Sequence, residues 1–415
     1  MWYNENMDEY KNQQFNSYEL KKIKIINALT KANGGNLPIG CNNDMFISAV
    51  ITIMEYLDAN YNIKIPAKEI PDNDTFPLKR DEYSMSFFVL NRIAKNVKEF
   101  GFSYDISPEN NALGYYSPSN HKIVINLNLI SKNTQRIIDS GTYKKYFSSE
   151  YKFKTDCRQA VIVHELLHSI SDNGSKHGFE IKTKNGKLIQ LNEGMTENLA
   201  MEIMGMKNFH YTIYKNSGKD SYVIGKNTCS GYGLGCGILD LVRMASKEDM
   251  VIPYLVDSSK LKFSYNEELD SSDKPPLTVI AKLLEEANKE SIKGNYAPYQ
   301  QLQDMLLENI FTFKYGKGFL DNIRRTGKAP SKEDYDKFKQ DMILIGGNIA
   351  PTLQQELSID QKKEFANSKY YTSSKGIVSL IQNNVIKPTS NIIKYKDLLY
   401  AMENIQKDFP NDLSR

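Results

Sequence analysis

The segment Val161-Ile162-Val163-His164-Glu165-Leu166-Leu167-His168-Ser169-Ile170 constrains this chain more than any other. It reads H-E-L-L-H. On an α-helix, residues four apart share a face. His164 and His168 can therefore aim two imidazoles at one point. Zinc accepts imidazole nitrogen at about 2.0–2.1 Å and prefers four ligands in a tetrahedron. Glu165 sits one step round the helix, within reach of a water at the open coordination position without being a ligand. Ala160, Val161, Val163, Leu167 and Ile170 recur at helical spacing. Asp156 followed by Gln159 predicts a capping box at the helix start, and Asn173-Gly174 a left-handed stop. The competing reading is an ordinary buried helix that happens to carry two histidines.

A third ligand separates the two readings. Downstream stands Leu191-Asn192-Glu193-Gly194-Met195-Thr196-Glu197-Asn198-Leu199-Ala200. Catalytic zinc sites use three protein ligands and keep a fourth position for water. Glu193 can supply the third. Glu197, four residues on and on the same helical face, can take the free ring N–H of a ligating histidine and fix its tautomer. Otherwise this is an amphipathic helix with two solvated acids.

The two segments together resemble the gluzincin metallopeptidases, the thermolysin-like group. Their pattern is H-E-x-x-H followed by N-E-x-x-[ST]-[DE] on a second helix. Asn192-Glu193-Gly194-Met195-Thr196-Glu197 matches at every defined position. The resemblance implies a zinc ion held by His164, His168 and Glu193, with Glu165 as general base. It also implies that Glu197 orients His164 and that Asn192 supports His168. The metzincin pattern fails, because Gly174 stands where a third histidine would be. The likeness covers residues 110–200 and leaves the rest open.

At 415 residues the chain is long enough for two or three domains. It is 40% hydrophobic and 25% charged, ordinary for a globular protein. With 53 basic and 50 acidic residues the net charge is +3, which leaves no footprint for nucleic acid or an anionic membrane. No apolar run is long enough to span a bilayer. Met1-Trp2-Tyr3-Asn4-Glu5-Asn6 lacks the basic-then-apolar pattern of a Sec-type signal. Cys41, Cys157, Cys229 and Cys236 are too few and too scattered for a disulfide framework. The expectation is a cytoplasmic protein, or one exported by a signal-independent route such as an injected effector or released toxin.

The expected fold class is α+β: a zincin-like catalytic domain over 101–250, a helical N-terminal subdomain over 1–100 and a helical C-terminal lobe over 251–415. Helices are predicted at 17–31, 44–59 with Asp44 as cap, and 84–100. Cys41, just before a helix start, is either an activated thiol or a small residue in a turn. Segments 111–116 and 122–126 read as a hairpin. Lys184-Asn185-Gly186-Lys187 is a type I′ turn signal joining strands 179–183 and 188–191. His177 lies in the loop before them and reads as exposed. Further helices are predicted at 238–246, 276–291, 299–315, 332–344, 359–368, 376–382 and 395–408.

In gluzincins a hairpin upstream of the metal helix forms the sheet edge over the cleft. Asn111-Ala112 resembles the start of that edge strand, which implies substrate backbone contacts at Ala112 and Gly114; a plain hairpin is the alternative. The family also uses a Tyr, His or Arg to hold the oxyanion formed by water attack. No tyrosine lies between His168 and Glu193. The first choice is Tyr232, in Ser230-Gly231-Tyr232-Gly233-Leu234-Gly235, with Tyr222, Tyr214, His210 and Arg243 as alternatives. The expected function is a zinc-dependent endopeptidase acting on protein or peptide. The alternative is a regulatory module that uses the site to sense metal or peptide without turnover.

Overall fold

The computed structural model describes residues 2–302 except 62–63, 67–81, 106–111, 146, 175–176, 184–185, 207–210, 216–221, 227–231, 246–249, 257–275 and 300–301. Among the described residues the fold is mixed α/β, mostly helical with small sheets and no barrel. None of the described helices is long and apolar enough to cross a membrane. In chain order come α1 (Trp2–Ala32), α2 (Asp44–Asn60), β1 (Lys64–Pro66), β2 (Glu82–Ser84), α3 (Met85–Asn96), β3 (Glu99–Ser103), β4 (Gly114–Ser117), β5 (Lys122–Asn126), α4 (Leu127–Asp139) and α5 (Glu150–Ser171). There follow β6 (Ile181–Thr183), β7 (Gly186–Leu188), α6 (Gln190–Ile203), β8 (Tyr211–Lys215), β9 (Tyr222–Lys226), α7 (Gly233–Ala245), α8 (Val251–Leu255) and α9 (Pro276–Ser291). Two compact units emerge. One is Met1–Phe179 with Thr196–Asn208 and Val251–Ser259; the other is Glu180–Met195 with Phe209–Met250 and Lys260–Arg415.

The first unit is built round α5. That helix starts about two turns earlier than the capping-box signal predicts. Ser149, not Asp156, is the cap: its Oγ accepts the Lys152 N–H at 3.1 Å. Asp156 instead pairs with Lys152 Nζ at 2.7 Å on the helix surface. Every residue from Ala160 to Leu167 is buried. A helix buried on all sides belongs to the core, and each large aliphatic side chain there contributes roughly 1.5–3 kcal/mol. Helices α2, α3 and α4 and strands β4 and β5 pack round it.

The predicted helix over 84–100 is two elements. Ser84 caps α3 through Oγ and the Phe87 N–H at 3.3 Å, but α3 ends at Asn96. Beyond it Phe100 and Phe102 alternate in β3, which pairs parallel with β5 in the register Phe100↔Ile123 and Phe102↔Ile125. Sheet pairing overrides the helical spacing of Val97 and Phe100. Strand β4 pairs antiparallel with β5, Gly114 opposite Ile125, giving the order β3-β5-β4 with β4 at an edge. The expected hairpin is present, though its first strand starts at Gly114. Helix α4, not among the predicted helices, is capped by Asn126 Oδ1 accepting the Leu129 N–H at 3.1 Å. Helix α2 is capped by Asn43, one residue before the expected Asp44: its Oδ1 accepts the Met45 N–H at 2.9 Å.

In the second unit β6 pairs antiparallel with β7, Thr183 opposite Gly186. Gly186 therefore lies in the strand, and the predicted turn residues Lys184 and Asn185 fall outside the described residues. Leu191, read as strand, begins α6 with Gln190. Strands β8 and β9 form a second hairpin against which α7 packs. Helix α7 begins at Gly233, taking the glycine-rich segment into its first turn. Helix α9 has the predicted bounds. The helices expected at 332–344, 359–368, 376–382 and 395–408, and nearly all of 299–315, lie outside the described residues.

Cys41 is fully buried, and burial pushes its thiol up to about 12, with Lys98 opposing. It is a protonated core residue at neutral pH. Beside it Gly40 holds φ +72, and a Cβ there would stand 1.9 Å from the Phe100 carbonyl oxygen. The same stretch joins the sheet, Phe100 N–H donating to the Ile39 carbonyl at 2.8 Å. Gly40→Ala must displace backbone, and a loss of about 2–4 kcal/mol is expected in urea unfolding.

Candidate metal centre

Helix α5 presents His164 and His168 one turn apart, and α6 presents Glu193 in its first turn. Each offers one ligand atom, and the three atoms lie within 4.8 Å of one another. His164 is buried; His168 and Glu193 are half-buried. The two Nε2 atoms stand 3.1 Å apart. Ligands at zinc distances in a tetrahedron are separated by about 3.3 Å, so the imidazole pair already spans close to one tetrahedral edge. Two imidazole nitrogens and a carboxylate oxygen suit zinc. The donor chemistry and spacing fit a divalent ion.

Glu197 lies one turn beyond Glu193 on α6, 3% exposed. Its Oε2 is 2.8 Å from His164 Nδ1. An ionised carboxylate only accepts, so Nδ1 carries the proton and donates it. That leaves a lone pair on His164 Nε2, the nitrogen facing His168. The tautomer needed for metal binding is thereby set by one buried bond.

Glu165 is 6% exposed. Gly114, at the start of the edge strand, lies directly against it: a Cβ there would meet Glu165 Cγ and Oε1 at 3.0 Å and Ile125 Cδ1 at 3.2 Å. A Cβ here would crowd the carboxylate, so glycine suits this close approach of the strand backbone. Ala112 is exposed and precedes the strand. Asn192 is 4% exposed within α6.

The end of α5 is held by groups that sequence reading did not single out. Arg92 and Asn96, one turn apart on α3, are both buried. Arg92 Nη1 donates to the Asp172 carbonyl at 2.6 Å; Asn96 Nδ2 donates to the carbonyls of Ser169 and Asp172 at 2.7 and 2.8 Å. A cation at a helix C-terminus also meets the negative end of its dipole. Burial lowers the Arg92 pKa to about 10, with Asp172 opposing, so it stays charged at neutral pH. Asp172 Oδ2 accepts from the Tyr116 hydroxyl at 2.8 Å and lies 3.7 Å from His177 Nδ1. Burial first, then the Asp172 charge, pushes the Tyr116 phenol far up and keeps it a donor. His177 is thus half-buried and bridged to Asp172, not a free loop residue. Tyr116 shares a strand face with Gly114, so this bond ties the edge strand to the metal helix.

Thr196 of the second motif is fully buried, its hydroxyl 2.5 Å from that of Tyr254 on α8. On the other side of α6, Gly194 meets Gly235 of α7 backbone to backbone: a Cβ on Gly194 would lie 3.2 Å from the Gly235 carbonyl carbon. Cys236 Sγ faces the Gly194 carbonyl at 3.7 Å. Tyr232 is half-buried immediately before α7, its carbonyl accepting the Cys236 N–H at 3.0 Å. Of the alternatives to Tyr232, His210 lies outside the described residues, as does Cys229; Tyr214 and Tyr222 fall in β8 and β9 and Arg243 in α7.

Comparison with known proteins finds no family model, curated protein or solved structure that matches the chain significantly. The geometry alone therefore sets the expectations for binding. Glu197→Ala is expected to weaken zinc affinity about 10- to 100-fold in chelator competition. After incubation with zinc and removal of the excess, Glu193→Ala is expected to retain less metal than the parent chain, as read by elemental analysis.

Proposed function

We propose that the chain is a zinc-dependent endopeptidase, a gluzincin-like hydrolase whose zincin-like arrangement centres on α5 and α6. One observation carries this reading. His164, His168 and Glu193 bring their ligand atoms within 4.8 Å, with the buried carboxylate of Glu165 next in sequence to the first of them. A zinc ion held there would polarise a scissile carbonyl and acidify water.

The chain's own groups supply the rest. Glu165 takes a proton from the attacking water and delivers it to the leaving amine nitrogen. His164 is held in its ligating tautomer by Glu197. The edge of β4 offers main-chain N–H and C=O groups to an extended peptide, with Gly114 over the base and Tyr116 fastening the strand to Asp172. Tyr232 is the proposed donor to the oxyanion. An extended peptide of a protein substrate fits this geometry.

Glu165→Gln preserves shape and hydrogen bonding but cannot accept the proton. It is expected to retain a full metal equivalent while hydrolysis of an unfolded protein mixture falls about 100- to 10,000-fold. Wild-type turnover in that variant would overturn the assignment. A parent chain that binds zinc yet cleaves nothing in such a mixture would favour metal or peptide sensing without turnover.

A further inference from the structure

We infer that Glu285, on α9, is a positioning residue for the metal-ligating carboxylate of Glu193; the inference rests on the metal site proposed above. The Glu193 N–H donates to the Ile189 carbonyl at 2.9 Å, which makes Ile189 the cap of α6. Isoleucine is among the poorest residues there, because its side chain offers no acceptor to the orphan N–H groups of a helix start. Glu285 supplies what Ile189 lacks. Its Oε2 accepts the Ile189 N–H at 3.0 Å and the Gln190 N–H at 3.2 Å. A carboxylate at this end also meets the positive pole of the helix.

Helix α9 is a firm mount for that carboxylate. Ile280, Ala281, Leu284 and Ala287 are fully buried on one face of it, and it packs against β7. Strand β7 ends at Leu188, so Glu285 grips the junction where the β6–β7 hairpin turns into α6. Glu193 is the fourth residue of that helix. The Gly194–Gly235 contact holds the same turn from another side. Fraying or rotation of a first turn moves its side chains by ångströms, whereas metal ligation tolerates about 0.2 Å. Loss of Glu285 therefore reaches the metal through the backbone of α6, although Glu285 is not itself a ligand.

The test is zinc affinity by chelator competition on the full chain, for the parent, E285A, E285Q and the exposed neighbour E286A. Cobalt(II) loading is run alongside, because its visible d–d bands report ligand geometry. Expected are about tenfold weaker zinc binding and altered cobalt bands for E285A. E285Q, which keeps a carbonyl acceptor without the charge, should fall between, and E286A should match the parent. Equal zinc affinity in E285A and the parent overturns the inference while leaving the metal site standing. If E285A does not fold, E285Q decides: weakening of about threefold supports the inference, and parental affinity overturns it. A parent chain that binds no zinc sinks the metal-site reading first, and this inference with it.

Discussion

The bond between His164 Nδ1 and Glu197 Oε2 is the constraint on which the rest of the site depends. Both side chains are nearly dry, and 33 residues separate them. A buried carboxylate without a partner is strongly destabilising, and a buried imidazole with the wrong tautomer presents a proton where a lone pair is needed. Each residue removes the other's problem. The cost is geometric, because two helices must be held at a fixed register along their axes. The aliphatic surround of α5, the Thr196–Tyr254 hydroxyl pair and the Tyr56 hydroxyl near Glu202 at 3.2 Å all act on that register.

A second set of polar groups secures the far end of α5. The last carbonyls of a buried helix cannot reach water, so something must donate to them. Arg92 and Asn96 do so from α3. The buried side chain of Asp172 in turn accepts from Tyr116 on the edge strand. The helix that carries His164, Glu165 and His168 is thus fastened through one residue both to its neighbouring helix and to the strand over Glu165. Stability and site geometry share the same atoms here.

What was legible in the sequence was short-range. Histidines four apart, and a Glu-x-x-x-Glu pair downstream, declare a shared helical face whatever the fold, and the structure places the three expected ligand atoms together. The strand containing Gly114 and the bounds of α9 were readable for the same reason. The misplacements have two causes: a different local cap nearby, and tertiary partners that outvote local signals. Asp156 looks like a cap until Ser149, seven residues earlier, takes the role. Residues 97–100 look helical until β5 offers Phe100 and Phe102 a sheet. Arg92, Asn96, Tyr254 and Glu285 carry no local signature, since their partners lie 58 to 96 residues away.

The first turn of α6 shows why such partners arise. By local rules it is a poor helix start: isoleucine at the cap and glycine as the fifth residue, where glycine costs about 1 kcal/mol relative to alanine. Yet each breach admits a contact that a better helix would exclude. The bare Gly194 lets the backbone of Gly235 approach, where a Cβ would stand 3.2 Å from its carbonyl carbon and push it away. The acceptor missing at Ile189 is replaced by a carboxylate on another helix, so this end is fixed by tertiary structure instead of by its own sequence. A self-sufficient helix end owes nothing to its neighbours; this one is also held by Glu285 and set against Gly235. On the proposed reading, in which this turn aims Glu193 at a metal, that dependence is the advantage, and local propensity is what was given up to obtain it.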